Sequence, residues 1–155
     1  MSEPQLQGPR RAGVAVRARA RRAPVGRGAM DVLPAVAAVD DAGPMLQVPG
    51  AGSLALPRGR MRAMRDVAAL GVRREHWLMT PGAGADGLHA RIERVESLGD
   101  LTLVHCVLQG ADDVVVTVRT AWPGAHALPR ALRVRLEVRP WDLTLFDAQG
   151  RVLTV

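Results

Sequence analysis

The most constraining stretch of the sequence is Leu132 to Arg139, where Leu132, Val134, Leu136 and Val138 alternate without exception with Arg133, Arg135, Glu137 and Arg139. Successive side chains of a β-strand point to opposite faces, so this pattern puts four apolar groups on one face and four charges on the other. Pro140 then ends the strand, because it has no amide to donate to a neighbouring one. From Ala29 onward, further short apolar runs recur between punctuating Gly and Pro residues, at a spacing that suits strands rather than helices.

Val32 to Val39 reads as a first strand, broken near its start by Pro34, and Pro44 to Val48 with Ser53 to Leu56 as a hairpin closed by Pro49-Gly50-Ala51-Gly52. Leu88 to Glu96, Leu101 to Leu108 and Val114 to Arg119 follow as strands, with Gly99-Asp100 and Gly110 to Asp113 as the turns between them. Leu143 to Phe146 and Arg151 to Val155 form a last hairpin around Asp147 to Gly150. Asp66 to Arg73 is ambiguous. Met61, Met64 and Ala68 have helical spacing, but Gly71 and the β-branched Val67 and Val72 weaken a helix. The pattern predicts an all-β chain, a small barrel or sandwich.

Composition narrows the chemistry. All 21 basic residues among the 155 are Arg, and Lys, Asn and Tyr are absent. Without Lys there is no Walker A loop and no Schiff-base lysine. With three Trp and one Phe, the core has to be built from Val, Leu and Ala. The net charge of +6 resembles a nucleic-acid signature until it is divided along the chain. Residues 1–27 hold seven Arg and one acid, Glu3, so the remaining 14 Arg and 14 acidic residues cancel. The basic tail, residues 1–28, also contains Pro4, Pro9 and Pro24 and has no apolar periodicity, which predicts disorder. GC-biased coding explains the tail's composition as well as a nucleic-acid-binding arm does. Arg10-Arg11 invites a twin-arginine export reading, but Arg17 and Arg19 interrupt the apolar stretch that such a signal needs. An organelle transit peptide is a lesser alternative. With one cysteine, Cys106, and no run approaching the ~20 apolar residues of a membrane span, the expected location is the cytoplasm.

No site for catalysis, a cofactor or a metal is expected. Gly82-Ala83-Gly84-Ala85-Asp86-Gly87 matches the G-x-G-x-x-G string, but that loop works only ahead of a helix, and Leu88 onward reads as a strand. His76, His89, His105, His126 and Cys106 lack ligand spacing, and His105 and Cys106 should point to opposite faces of one strand. Ser53 lacks the second glycine of a nucleophile elbow. Asp40-Asp41 and Asp112-Asp113 read as solvated turn residues.

Four segments in order resemble the region that follows the nucleotide-binding domain in ATP-binding subunits of sugar-type ABC importers, the region that contains the TOBE domain. Gly28 to Ala35 is similar to a Met-Asn-hydrophobic-Leu-Pro-Ala sequence, with Asp31 in place of Asn. Leu70 to His76 is similar to Gly-Ile-Arg-Pro-Glu-His, with Arg74 in place of Pro. Val95 to His105 resembles Val-Glu-Pro-Leu-Gly-x-x-Thr-Leu-Val-His, and Leu143 to Leu153 the closing Leu-Phe-Asp-x-x-Gly-x-x-Leu. Two departures stand out. Arg74 restores an amide that proline lacks, and Pro123 to Pro129 intervenes where the family has a Gly-Asp type turn.

The resemblance implies an OB-like or MOP-like β-barrel over residues 29–155 that regulates transport and contacts ATPase subunits. The ATPase motifs themselves would lie upstream of Gly28, so the chain is expected neither to bind nor to hydrolyse ATP. The expected partner is an importer ATPase and permease complex, or a second copy, at the inner face of the membrane without insertion into it. The candidate contact residues are Arg73, Glu75 and His76, and Glu96, Gly99, Asp100 and Thr102. A small nucleic-acid-binding OB module is the first alternative. A neutral body with few aromatics argues against it, since single-strand sites combine a basic groove with stacking rings. Oxyanion binding is the second, because TOBE domains are related to molybdate-binding modules, and sugar binding at the barrel surface is a further one.

Overall fold

The computed structural model describes residues 29–60 and 62–153. The basic tail expected over 1–28 and the end of the strand expected over Arg151 to Val155 lie outside those residues. The described chain is all β, with strands joined by turns and single turns of 3-10 helix.

The first sheet has the order β1 (Met30–Pro34), β5 (Ala69–Arg73), β11 (Leu143–Phe146), β12 (Val152–Leu153). The second runs β2 (Val36–Asp40), β3 (Gly43–Val48), β4 (Gly52–Ala55), β7 (Gly87–Ser97), β10 (Arg133–Glu137), β6 (Leu78–Pro81). β8 (Thr102–Leu108) pairs with β7 and with β9 (Ala111–Thr120). All pairings are antiparallel. The eleven-residue β7 is the hub: β10 lies along Leu88–Arg91, β4 meets Gly87 and Leu88, and β8 follows from Ala90 to Ser97.

The run read as one strand from Val32 to Val39 is two strands in different sheets. β1 pairs with β5 and ends at Pro34, Ala35 is buried and its amide donates to Ala68 O at 3.1 Å, and β2 then pairs with β3. The ambiguous stretch resolves the same way. Ala69 to Val72 are all buried, because β5 lies between β1 and β11, and the helical spacing before it yields one 3-10 turn, Ala63–Asp66. Asp112 and Asp113 lie in β9 rather than in a turn, and Asp112 reaches Arg91 across 3.7 Å. β6 has no counterpart in the sequence reading.

The alternating strand keeps its predicted face within a shorter span. Val134, Leu136 and Val138 are buried, while Leu132 is half-buried. On the polar face Arg133 and Arg139 are exposed, but Arg135 and Glu137 are half-buried. They pack against the Gly82–Gly87 loop: a Cβ on Gly84 would lie 2.6 Å from Arg135 Nε, and one on Gly87 would lie 2.8 Å from Glu137 Cγ. The glycine string makes room for the side chains of β10, and a strand follows it, as expected.

A single buried cluster joins both sheets. Leu33 and Leu70 come from the first, Leu46, Leu88, Ile92, Leu108 and Leu136 from the second, and Trp77 is its one aromatic member.

Candidate functional site

The first candidate segment follows β5. Arg73 closes that strand and is exposed, Arg74–His76 makes one 3-10 turn, and Trp77 turns back into the core. The amide that distinguishes Arg74 from proline is used, donating to Ala29 O at 3.3 Å. Glu75 projects outward. His76 Nδ1 sits 3.8 Å from Asp142 Oδ1, and Asp142 Oδ2 accepts from Arg139 Nε at 3.1 Å.

What anchors this turn is a residue from the start of the chain's first strand. Asp31 Oδ2 accepts the Trp77 indole N–H at 3.0 Å and the Thr117 backbone N–H at 3.1 Å. One oxygen therefore ties β1, the Arg73–Trp77 turn and β9 together. Burial disfavours the charged form and pushes the carboxyl up to about 6, against the opposing pull of the two hydrogen bonds and of the nearby Arg74. The same burial, with a smaller contribution from the Asp31 charge, holds the Cys106 thiol at about 12.

The second segment is the β7–β8 hairpin. Leu98 N donates to Leu101 O at 2.7 Å, and Gly99 at φ +91 leaves its tip open, with Leu98, Gly99 and Asp100 exposed. Glu96 Oε1 accepts from Arg94 Nη1 at 3.3 Å and faces His105 Nε2 at 3.3 Å, while His105 Nδ1 meets Thr117 Oγ1 at 3.1 Å. Cys106 points the other way and is fully buried, as strand alternation requires. Thr102 is 6% exposed, which corrects its assignment to a contact surface. It stands where β8 begins, with its side chain turned inward.

Thr117 joins the two segments. Its backbone N–H serves Asp31, which holds Trp77, and its hydroxyl serves His105, which holds Glu96. The turn that carries Arg73, Glu75 and His76 is thus tied, through its last residue Trp77, to Glu96 of the hairpin by hydrogen bonds of Asp31, Thr117 and His105, which sequence reasoning did not assign to a site. Asp31 had left one trace, as the position where asparagine was expected. Thr117 had left none.

Among the described residues, no group of three or more His, Cys, Asp or Glu side chains could hold a metal ion. No helix among them is long and apolar enough to cross a membrane.

Residues 70–146, from within β5 to the end of β11, match the sequence model of the TOBE domain. The chain carries a TOBE domain. β1 lies before the matched residues, yet it pairs with β5 inside them, so the TOBE domain's first sheet is completed by the preceding segment. The fold is similar to that of the cytoplasmic molybdate-binding protein ModG, in a crystal form with molybdate bound. The TM-score is 0.54 and the identity 14%, over 74% of this chain and 94% of that one. That likeness establishes an OB-like β fold. No curated protein matches the chain in sequence.

Proposed function

We propose that this chain is a non-catalytic regulatory domain that works by docking on the ATP-binding subunit of an ATP-driven importer of sugars or similar solutes, or on a second copy of itself. The observation that carries this reading is the TOBE match over residues 70–146. Two exposed features suit protein contact: the charged Arg73–Glu75 turn, and the β7–β8 tip, where Leu98 is 52% exposed beside Gly99 and Asp100. Apolar groups exposed at a rigid turn are what a partner surface can cover. On this reading the protein acts on the cytoplasmic side of the membrane, held there by the transporter complex rather than by insertion.

The test is purification of the tagged chain from its own cells at moderate salt, with bound proteins identified by mass spectrometry. Recovery of an importer ATP-binding subunit, reduced by the double substitution Arg73→Glu and Glu75→Arg, supports the reading. Sequence-selective oligonucleotide binding without protein association, or ATP turnover by the purified chain alone, overturns it.

A second reading is favoured by the fold likeness to a molybdate-binding protein. On this view the domain binds a tetrahedral oxyanion, and calorimetric titration with molybdate and sulfate separates the two.

A further inference from the structure

An open groove of about 530 Å³ is lined by Ile92, Glu93, Arg94, Val95, Leu128 and Arg130. It is built around two departures from regular backbone. The first is a bulge in β7: Ile92 pairs with Cys106 and Arg94 with His105, so Glu93 has no counterpart in β8. An extra residue of this kind bends the strand and re-aims the side chains beside it. The second is Ala131, which holds φ at +71, the one non-glycine residue with positive φ among the described residues. A Cβ makes that conformation unfavourable, and such strain persists where the surroundings enforce it.

The surroundings here are the bulge itself. Ala131 N donates to Ile92 O at 2.7 Å, and Ile92 N donates to Leu132 O at 2.9 Å. The two hydrogen bonds clamp the strained turn onto the bulged strand, and so bring Arg130 and Leu128 to the same groove as Arg94 and Val95.

We propose that this groove binds a small amphiphilic carboxylate, with its anionic head held by Arg94 and Arg130 and its apolar body laid on the half-buried Val95 and Leu128, while the Ile92 side chain belongs to the core beneath. The lining carries two guanidinium groups and one carboxylate, Glu93, and Glu96 faces Arg94 from beside it, so an anionic head is held by directed N–H donors rather than by net charge. Arg94 spends Nη1 on Glu96 at 3.3 Å and keeps further N–H donors for a ligand, and a guanidinium offers paired donors in the geometry that a carboxylate accepts. The volume lies within the range of small-molecule sites and exceeds what a tetrahedral oxyanion fills, while the apolar Val95 and Leu128 side chains give such an ion nothing to bond. This inference stands apart from the docking reading, since neither Arg130 nor Leu128 belongs to the proposed contact segments.

The experiment is a titration of the full-length, isotope-labelled chain followed by amide NMR, with sodium hexanoate, 1-hexanol and sodium molybdate as probes. Hexanoate should give saturable shifts at the amides of residues 92–95, Leu128 and residues 130–132. Hexanol should bind at least about fivefold more weakly, because it lacks the charge that the arginines hold. Molybdate should not saturate these positions. Arg130→Gln and Arg94→Gln should each weaken hexanoate binding by a similar factor. Both arginines are exposed, so the variants should keep the fold, and Arg130→Gln decides the matter if Arg94→Gln disturbs the bulge. The proposal is overturned if hexanoate fails to saturate the groove, if hexanol binds as well as hexanoate, if molybdate occupies it, or if Arg130→Gln binds hexanoate as the natural chain does.

Discussion

Replacing Asp31 by Asn should stabilise this protein at neutral pH, although it removes a charge that is hydrogen-bonded twice. The carboxyl titrates near 3.8 in the unfolded chain and near 6 in the folded one, where burial is the dominant cause. The folded state therefore binds this proton more tightly. Below about pH 4 the group is neutral in both states and its ionisation subtracts nothing. Between about pH 4 and 6 the unfolded carboxyl has ionised while the folded one still holds its proton, so stability falls across that window and levels off above it, where the folded protein keeps an anion in a poorly solvated site. A gap of about 2 in pKa, at about 1.4 kcal/mol per pH unit, makes this loss about 3 kcal/mol. Asparagine keeps an oxygen for the Trp77 and Thr117 N–H groups and carries no charge. Asp31→Asn should then be about 1 to 3 kcal/mol more stable than the natural chain at pH 7, with the difference closing toward pH 4. Asp31→Ala, which leaves both donors unpaired, should be less stable than Asp31→Asn at every pH. Urea denaturation from pH 4 to 8, followed by tryptophan fluorescence, measures this, and the difference between variants cancels the titration of the other carboxylates. An Asp31→Asn protein that is less stable at pH 7, or whose stability falls with pH as the natural chain's does, would refute the argument.

Other expectations rest on packing. Leu136→Ala should cost about 2 to 5 kcal/mol in chemical denaturation, since Leu136 is fully buried, whereas Arg133→Gln on the exposed face should stay within about 0.5 kcal/mol. Cys106 should react with a thiol reagent at pH 8 at least about 1000-fold more slowly in the folded protein than in urea, because the reactive thiolate is scarce when burial holds the thiol at about 12. Gly52→Ala should cost more than about 2 kcal/mol in the same denaturation assay, since Gly52 holds φ at +139 and a Cβ there would run into the Gly87 carbonyl oxygen where β4 meets β7.

The sequence by itself determined the all-β class, the position of most strands and the buried face of β10, because alternation of side chains is a local property that any pairing must respect. It also carried the four segments whose resemblance pointed to the TOBE region. It did not determine which sheet a strand joins. Val32 to Val39 is apolar throughout and Pro34 marks a break in it, but only the competition between β5 and β3 for its two halves sends them to different sheets on either side of Ala35. β6 was hidden because an edge strand needs only one partner, β10, and so bears little pattern of its own. Asp112 and Asp113 resemble turn residues, yet the start of β9 tolerates them because they remain exposed. The run from Trp77 through Asp31, Thr117 and His105 to Glu96 draws on residues up to 86 positions apart, and the groove depends on a bulge and a strained alanine clamped together. Only the tertiary structure decided these features, because they arise from strands that are remote in sequence being forced into contact around one shared core.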